Sequence, residues 1–253
     1  VMVFGQSGGG AKIATLMATP SAAGLFHRAA TMSGQQVTAS GPMNATRRAR
    51  AWLETLDLPL DRAADVATLP VERLLRAAEI TDPVLGYGSL YFGPVLDDRT
   101  LTRHPFYPDA PAQSAAIPMI IGNTRDETRA FLGGDPANYA LTWDDLPGRM
   151  TLANMRIDVA PEGVIAAYRA MHPDWSPSDV FFAATTAARS WRGAIIEAEA
   201  RAAAGTPAFV YQLNWTSPID GGRRGAMHTD DISLALDTVA ASGSRAQGPQ
   251  AQQ

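Results

Sequence analysis

The residues best suited to chemistry in this 253-residue chain stand at its start. Positions 5–9 read Gly-Gln-Ser-Gly-Gly after an apolar run, and a helix-compatible stretch follows from Gly10 to Ala18. This pattern is typical of a sharp strand-to-helix turn that exposes a serine hydroxyl, here that of Ser7, as a nucleophile. The serine backbone in such a turn is strained. Gly5 and Gly9 are expected to be necessary, because side chains there would clash with the packed strand and helix.

The second requirement is a base, since a serine hydroxyl is a weak nucleophile near neutral pH. The chain has four histidines. His27 is too close in sequence to Ser7 to fold back easily past the helix, and His104 and His172 precede prolines in loop or helix-end positions. His228 lies in a loop after a late predicted strand, and hydrolases with this turn follow the chain order serine, acid, histidine. We therefore predict His228 as the base.

The acid that orients this base is expected on a loop that follows a strand between the serine and the histidine. The predicted strand 117–122 runs into Asn-Thr-Arg-Asp-Glu at 123–127, which offers the carboxylates of Asp126 and Glu127. Either one could instead face the N-terminal dipole of a following helix, which is the commoner role of such residues. Spacing alone leaves both open.

Apolar runs and helical periodicity predict strands that alternate with helices, which favours an α/β fold with a mostly parallel sheet and helices on both faces. The predicted strands are 1–4, 29–33, 117–122 and 207–215, and the predicted helices are 10–18, 44–56, 70–80, 125–132, 161–171 and 177–204. The uninterrupted apolar run at 1–4 predicts a first strand that is buried on both faces. We expect one domain over 1–253, with helical insertions at about 40–82 and 140–204.

Composition narrows the partners. The net charge of −4 argues against nucleic acid or an anionic membrane as a partner. No apolar run reaches the roughly 18 residues that a membrane span needs. Without cysteine the chain has no disulfide, thiolate chemistry or cysteine metal site. No metal site or organic cofactor is implied, and neither the compartment nor the oligomeric state follows from the sequence.

Taken together, these motifs resemble the type-B carboxylesterases, the group that includes the cholinesterases and has the α/β-hydrolase fold. The matching segments follow that family's order along essentially the whole chain: Phe4–Gly10, Gly24–Ala29 with Ser33-Gly34, Phe92–Asp97, Ile121–Glu127, and Gly225–His228 with Asp231. The resemblance implies Ser7 as nucleophile, Glu127 rather than Asp126 as acid, and His228 as base. It implies the Gly8 N–H as one arm of an oxyanion hole, and a small-molecule ester as substrate.

The resemblance also sets expectations about what is missing. The fold's N-terminal strands, with a Gly-rich oxyanion loop, and its C-terminal helix would lie outside this chain, so we expect an internal piece of a longer enzyme that is inactive alone. Gln6 stands where the family often has glutamate, which removes a negative charge that would favour cationic substrates.

Two readings compete at this stage. A non-catalytic interaction protein of the same fold would be expected to lack the serine or the histidine, and both positions are filled here.

The sequence does not decide which residues form the walls of the ester pocket. The apolar group Gly88, Leu90, Tyr91 and Phe92 could border the acyl site or belong to the plain core.

Overall fold

The structure, a computed structural model, describes residues 1–241, 243–244 and 246–252. The strands are β1 Met2–Gln6, β2 Arg28–Met32, β3 Met119–Thr124 and β4 Ala208–Leu213. The α-helices are α1 Gly8–Leu16, α2 Pro42–Thr55, α3 Val71–Ala77, α4 Arg129–Leu132, α5 Leu146–Arg149, α6 Leu152–Met155, α7 Pro161–Met171, α8 Pro177–Thr186, α9 Arg192–Ala203 and α10 Asp230–Ala235. A π-helical turn, Ala187–Trp191, joins α8 to α9.

The four strands form one parallel sheet in the order β1-β2-β3-β4. All four carboxyl ends therefore lie along one edge, where ligand sites of open α/β sheets form. The loops at that edge begin at Ser7, Ser33, Arg125 and Asn214. The parallel sheet with helices agrees with the predicted α/β-hydrolase class.

Apolar packing fixes this sheet against helices. Ile13 of α1 and Met17, the residue after this helix, pack with Ala29, Met119 and Ile121 of the two central strands in one buried cluster. A second cluster lies around α8, whose start has reciprocal hydrogen bonds between Ser176 and Asp179 and whose Phe181 and Phe182 are buried. The predicted helix 177–204 is present as α8, the π-helical turn and α9 in succession.

Two sequence expectations were wrong. The strand at 1–4 exists, but β1 has a neighbour on one side only among the described residues, and Phe4 is 56% exposed rather than buried. The predicted helix 125–132 is helical only from Arg129, because residues 125–128 form a turn that contacts a distant loop. Tertiary contacts override local helix propensity at this turn.

Two features are absent from the described residues, a helix that could span a membrane and a cluster of metal-ligating side chains. None of the helices in these residues is long and apolar enough to cross a membrane. Within the same part of the chain, no group of three or more histidine, cysteine, aspartate or glutamate side chains could hold a metal ion.

Candidate active site

Ser7 lies between β1 and α1, at the carboxyl edge of the sheet. Its backbone angles are φ 55° and ψ −124°, a conformation that non-glycine residues seldom adopt and that costs about 1–3 kcal/mol. The Ser7 N–H donates to the carbonyl of Met32 on the neighbouring strand at 2.8 Å, which holds the turn in place. Gly8 begins α1, so its N–H belongs to the first helical turn, where N–H groups have no intrahelical acceptor.

Glycines close the turn, though not all those that the sequence indicated. A Cβ on Gly5 would lie 2.5 Å from the backbone carbon of Gly9, which confirms the steric need at Gly5. A Cβ on Gly9 would have nothing within 4 Å among the described atoms, so the same expectation was wrong there. The tight positions that the motif did not reveal are Gly10 and Gly34, which lie against each other's backbone beneath Ser7.

His228 lies in the loop between β4 and α10 and is buried. Its Nδ1 is 2.5 Å from Oε2 of Glu127, whose other oxygen accepts the N–H of Thr124 at 2.8 Å. Such a pair fixes the imidazole tautomer, because Nδ1–H donates to the carboxylate and Nε2 is left as the acceptor.

The other three histidines lie elsewhere. His27 contacts the N-terminal amine, His104 accepts the N–H of Ala39, and His172 stacks on Trp175. None of the three borders the Ser7 cavity that the described residues form.

The charge state of Glu127 follows from its surroundings. Burial alone would raise the pKa of this carboxyl, but the hydrogen bond and positive charge of His228, together with the Thr124 N–H, outweigh burial and hold the pKa below its usual value. Glu127 is therefore ionised near neutral pH and can stabilise a protonated His228.

Asp126 has a different role from its neighbour. Its N–H donates to the carbonyl of Ala226 at 2.8 Å, and its Oδ2 accepts the N–H of Ala226 at 2.9 Å. Asp126 also pairs with Arg125 and Arg129. Asp126 thus joins the turn at residues 125–128, called here the acid turn, to the loop between β4 and α10 that carries His228, called here the histidine loop. These paired hydrogen bonds between Asp126 and Ala226 form a clamp. Gly225 has φ +63°, and a Cβ there would collide with the Asp126 carboxylate, so the clamp requires glycine.

Gln6 contacts His228 directly, which the sequence did not reveal. Its Nε2 lies 3.1 Å from Nε2 of His228, so the amide can donate to the imidazole nitrogen that a nucleophilic serine would need. No hydrogen bond joins the Ser7 hydroxyl to His228, although both are among the described residues. Serine and histidine nevertheless border the same cavity of about 300 Å³.

A buried tyrosine–carboxyl pair lies behind the histidine loop. The Tyr211 hydroxyl donates to Asp231 at 2.7 Å, and burial raises the pKa of both groups, to which the negative charge of Glu127 adds. Tyr211 also covers Gly122 on β3, where any Cβ would collide with its ring. This pair supports the loop from beneath.

The remaining cavity wall partly matches the expected acyl-site neighbours. Tyr91 borders the Ser7 cavity, and Phe92 borders an adjoining cavity of about 480 Å³ that shares Gly8 and Tyr91 with it. Leu90 borders a third cavity beside α2, which Tyr91 and Phe92 also line, and Gly88 lies near Arg156. Further walls come from residues that the sequence did not single out, including Phe131, Arg189 and Ser190.

The chain is similar to proteins of one known family. The model of the carboxylesterase family matches residues 1–252. A para-nitrobenzyl esterase of Bacillus subtilis is 31% identical over 223 residues, which are 85% of this chain and 42% of the relative. A phenmedipham hydrolase of Pseudarthrobacter oxydans is 28% identical over 93% of this chain and 46% of its own.

A solved structure, a Geobacillus stearothermophilus carboxylesterase, has a TM-score of 0.74 at 27% identity, over 96% of this chain and 49% of that one. The chain thus spans about half the length of the relatives it matches. Since a single family model covers nearly every residue, the chain belongs to the carboxylesterase family.

Proposed function

We propose that the protein hydrolyses small carboxylic esters through a serine acyl-enzyme, with Ser7 as nucleophile, His228 as base and Glu127 as acid. The observation that carries the proposal is the buried Glu127–His228 hydrogen bond at 2.5 Å, bordering the cavity that holds the strained Ser7. The family membership and the esterase relatives support the reaction class.

The first half-reaction forms the acyl-enzyme. His228 Nε2 exchanges the Gln6 amide for the Ser7 hydroxyl and takes its proton as the serine oxygen attacks the ester carbonyl. The Gly8 N–H, at the positive end of α1, donates to the oxyanion of the tetrahedral intermediate. The intermediate collapses when His228 returns the proton to the leaving alcohol, and Glu127 stabilises the imidazolium meanwhile.

The second half-reaction is hydrolysis. Water replaces the alcohol, and His228 takes one of its protons as the water oxygen attacks the acyl carbonyl. Collapse of this second intermediate breaks the bond to the Ser7 oxygen, which receives the proton from His228, and the carboxylic acid is released. No metal or organic cofactor enters either half.

The test labels the serine in the protein expressed from its complete gene. A fluorophosphonate probe is expected to modify Ser7, and Ser7→Ala should abolish labelling and nearly all ester hydrolysis while the thermal midpoint changes little. Ser190→Ala is the matched control, because Ser190 borders the same cavity but bonds to Asn123 and Gln35. Labelling of another serine with Ser7 unmodified contradicts the assignment.

A further inference from the structure

Arg189 is a cation in the wall of the candidate active site that the proposed reaction does not use. It lies in the π-helical turn between α8 and α9 and borders the same cavity as Ser7 and His228. Such turns occur frequently at functional sites, because the extra residue redirects side chains that a regular helix would place elsewhere.

The guanidinium has no anionic partner among the described residues. No salt bridge of that part of the chain includes Arg189, and none of its protein hydrogen bonds uses an Arg189 N–H group. The side chain is half-buried, and burial together with the charge of Arg156 lowers its pKa. A guanidinium still remains protonated, so the cavity contains a poorly solvated, uncompensated positive charge.

The nearby carboxylates are already engaged. Glu127 is the carboxylate that borders this cavity, and it is held by His228. Asp126 pairs with Arg125 and Arg129 on the other side of the acid turn. Neither is available to neutralise Arg189.

The position of Arg189 relative to the base is fixed by one aromatic ring. Its Cζ lies 5.0 Å from the ring centre of Phe131, and the Phe131 ring centre lies 4.9 Å from that of His228. A guanidinium that stacks on an aromatic face keeps its in-plane N–H groups free, and these form the fork that matches a carboxylate.

We propose that Arg189 binds a carboxylate carried by the substrate, so that the preferred substrates are monoesters of short dicarboxylic acids rather than neutral esters. The inference rests on the proposed esterase function, and it deepens that function by naming the substrate class. The ester carbonyl at Ser7 and the acid group at Arg189 would lie in the same cavity, so a short carbon chain between them is expected.

The kinetic test uses a matched pair of substrates, ethyl butanoate and the monoethyl ester of butanedioic acid, which differ by one carboxylate in place of a methyl group. The protein expressed from its complete gene is used, and hydrolysis is followed by titrating the released carboxylic acid with base. The kcat/KM ratio of acidic to neutral ester should exceed one, and Arg189→Gln should lower that ratio about 10–100-fold, the effect of losing a charge-assisted hydrogen bond.

Three controls separate charge from packing. Arg189→Lys should retain part of the preference, because it keeps the charge but not the fork. Arg192→Gln removes an equivalent charge from an exposed position, the first residue of α9, and should leave the kcat/KM ratio of acidic to neutral ester unchanged. Raising the salt concentration should lower the wild-type ratio, since the interaction is electrostatic.

A binding measurement distinguishes failure of this proposal from failure of the esterase assignment. Calorimetry compares N-ethylsuccinamic acid with N-ethylbutanamide, the amide analogues of the two esters. Tighter, Arg189-dependent binding of the acidic amide supports the anion site even if neither ester is hydrolysed. Hydrolysis of both esters with a ratio that Arg189→Gln does not change overturns the anion site and leaves the esterase standing. Absence of Arg189-dependent discrimination in both assays also overturns it.

Discussion

Asp126 and Glu127 are adjacent, carry the same charge and have different partners, and spacing could not separate them. Glu127 contacts the imidazole of His228, whereas Asp126 contacts the backbone of the histidine loop. The resemblance to a family selected Glu127, and that role stays a prediction until activity is measured.

We expect Glu127→Gln to lower kcat/KM for an ester by about 10²–10⁴-fold, because the amide no longer stabilises the imidazolium or fixes its tautomer. Asp126→Asn should cost far less, since its amide oxygen can still accept the Ala226 N–H. Steady-state kinetics on both variants decides between them, and equal losses or the reverse order would show that the acid is misassigned.

Glu197 is a second single-residue case, in which burial sets the charge. This α9 side chain is fully buried and accepts the N–H of Gln36 at 2.7 Å. Burial raises its pKa from 4.5 to about 8. Between these values the unfolded chain releases a proton that the folded chain keeps, so the stabilisation present below pH 4.5 is lost as pH rises through the folded pKa.

The free energy of unfolding should therefore fall from about pH 5 to about pH 9, and the fall should be shallower in Glu197→Gln. Urea unfolding across that range measures the slope for each protein. Glu199→Gln, an exposed position on the same helix, is the control and should follow the wild type. Parallel slopes for wild type and Glu197→Gln would mean that Glu197 titrates normally.

At the scale of elements, the sequence predicted the four strands and most helices because each has a strong local pattern. Helix 161–171 was predicted with the bounds it has. The failures have tertiary causes. Residues 125–128 form a turn rather than a helix because Asp126 bonds to the backbone of the histidine loop. The contact of Gln6 with His228 joins positions 222 apart in sequence. No local pattern contains such information.

Substitution of Gly225 should cost more stability than substitution of a glycine whose only requirement is a positive φ. Gly225 and Gly205 have nearly equal φ, +63° and +67°, but only at Gly225 would a Cβ meet a neighbour, the Asp126 carboxylate. Gly205→Ala should cost about 1–2 kcal/mol of stability from backbone strain and leave kcat/KM intact. Gly225→Ala should cost more and lower kcat/KM as well. Equal activity of the two variants would argue against the clamp.

At the scale of the whole molecule, one face of the sheet carries an apolar row that is exposed except at Ala30. Phe4, Ala30, Ile120 and Phe209 are successive partners across the four strands, and Phe4, Ile120 and Phe209 are exposed. At the usual strand spacing the row is about 15 Å long. The sequence could not indicate it, because alignment across strands depends on register.

The 253-residue polypeptide expressed alone should therefore self-associate through this row. Sedimentation should show a lower association state for a Phe4→Ser, Phe209→Ser double variant. A Met43→Ser, Leu75→Ser variant, which changes exposed apolar residues outside the row, should associate like the unchanged chain. A monomeric, cooperatively melting polypeptide would refute this expectation.

The paired hydrogen bonds between Asp126 and Ala226 also bear on how such enzymes can be recombined. Glu127 and His228 stand 101 positions apart, yet the two segments that carry them are held together by the hydrogen bonds of a single residue pair, Asp126 and Ala226. Replacing only one of the two segments with that of a relative would pair residues 126 and 226 from different proteins, whose hydrogen bonds need not match. Residues 126 and 226 should therefore come from the same parent sequence. Chimeras that take them from different parents should be active less often than chimeras that take both from one parent.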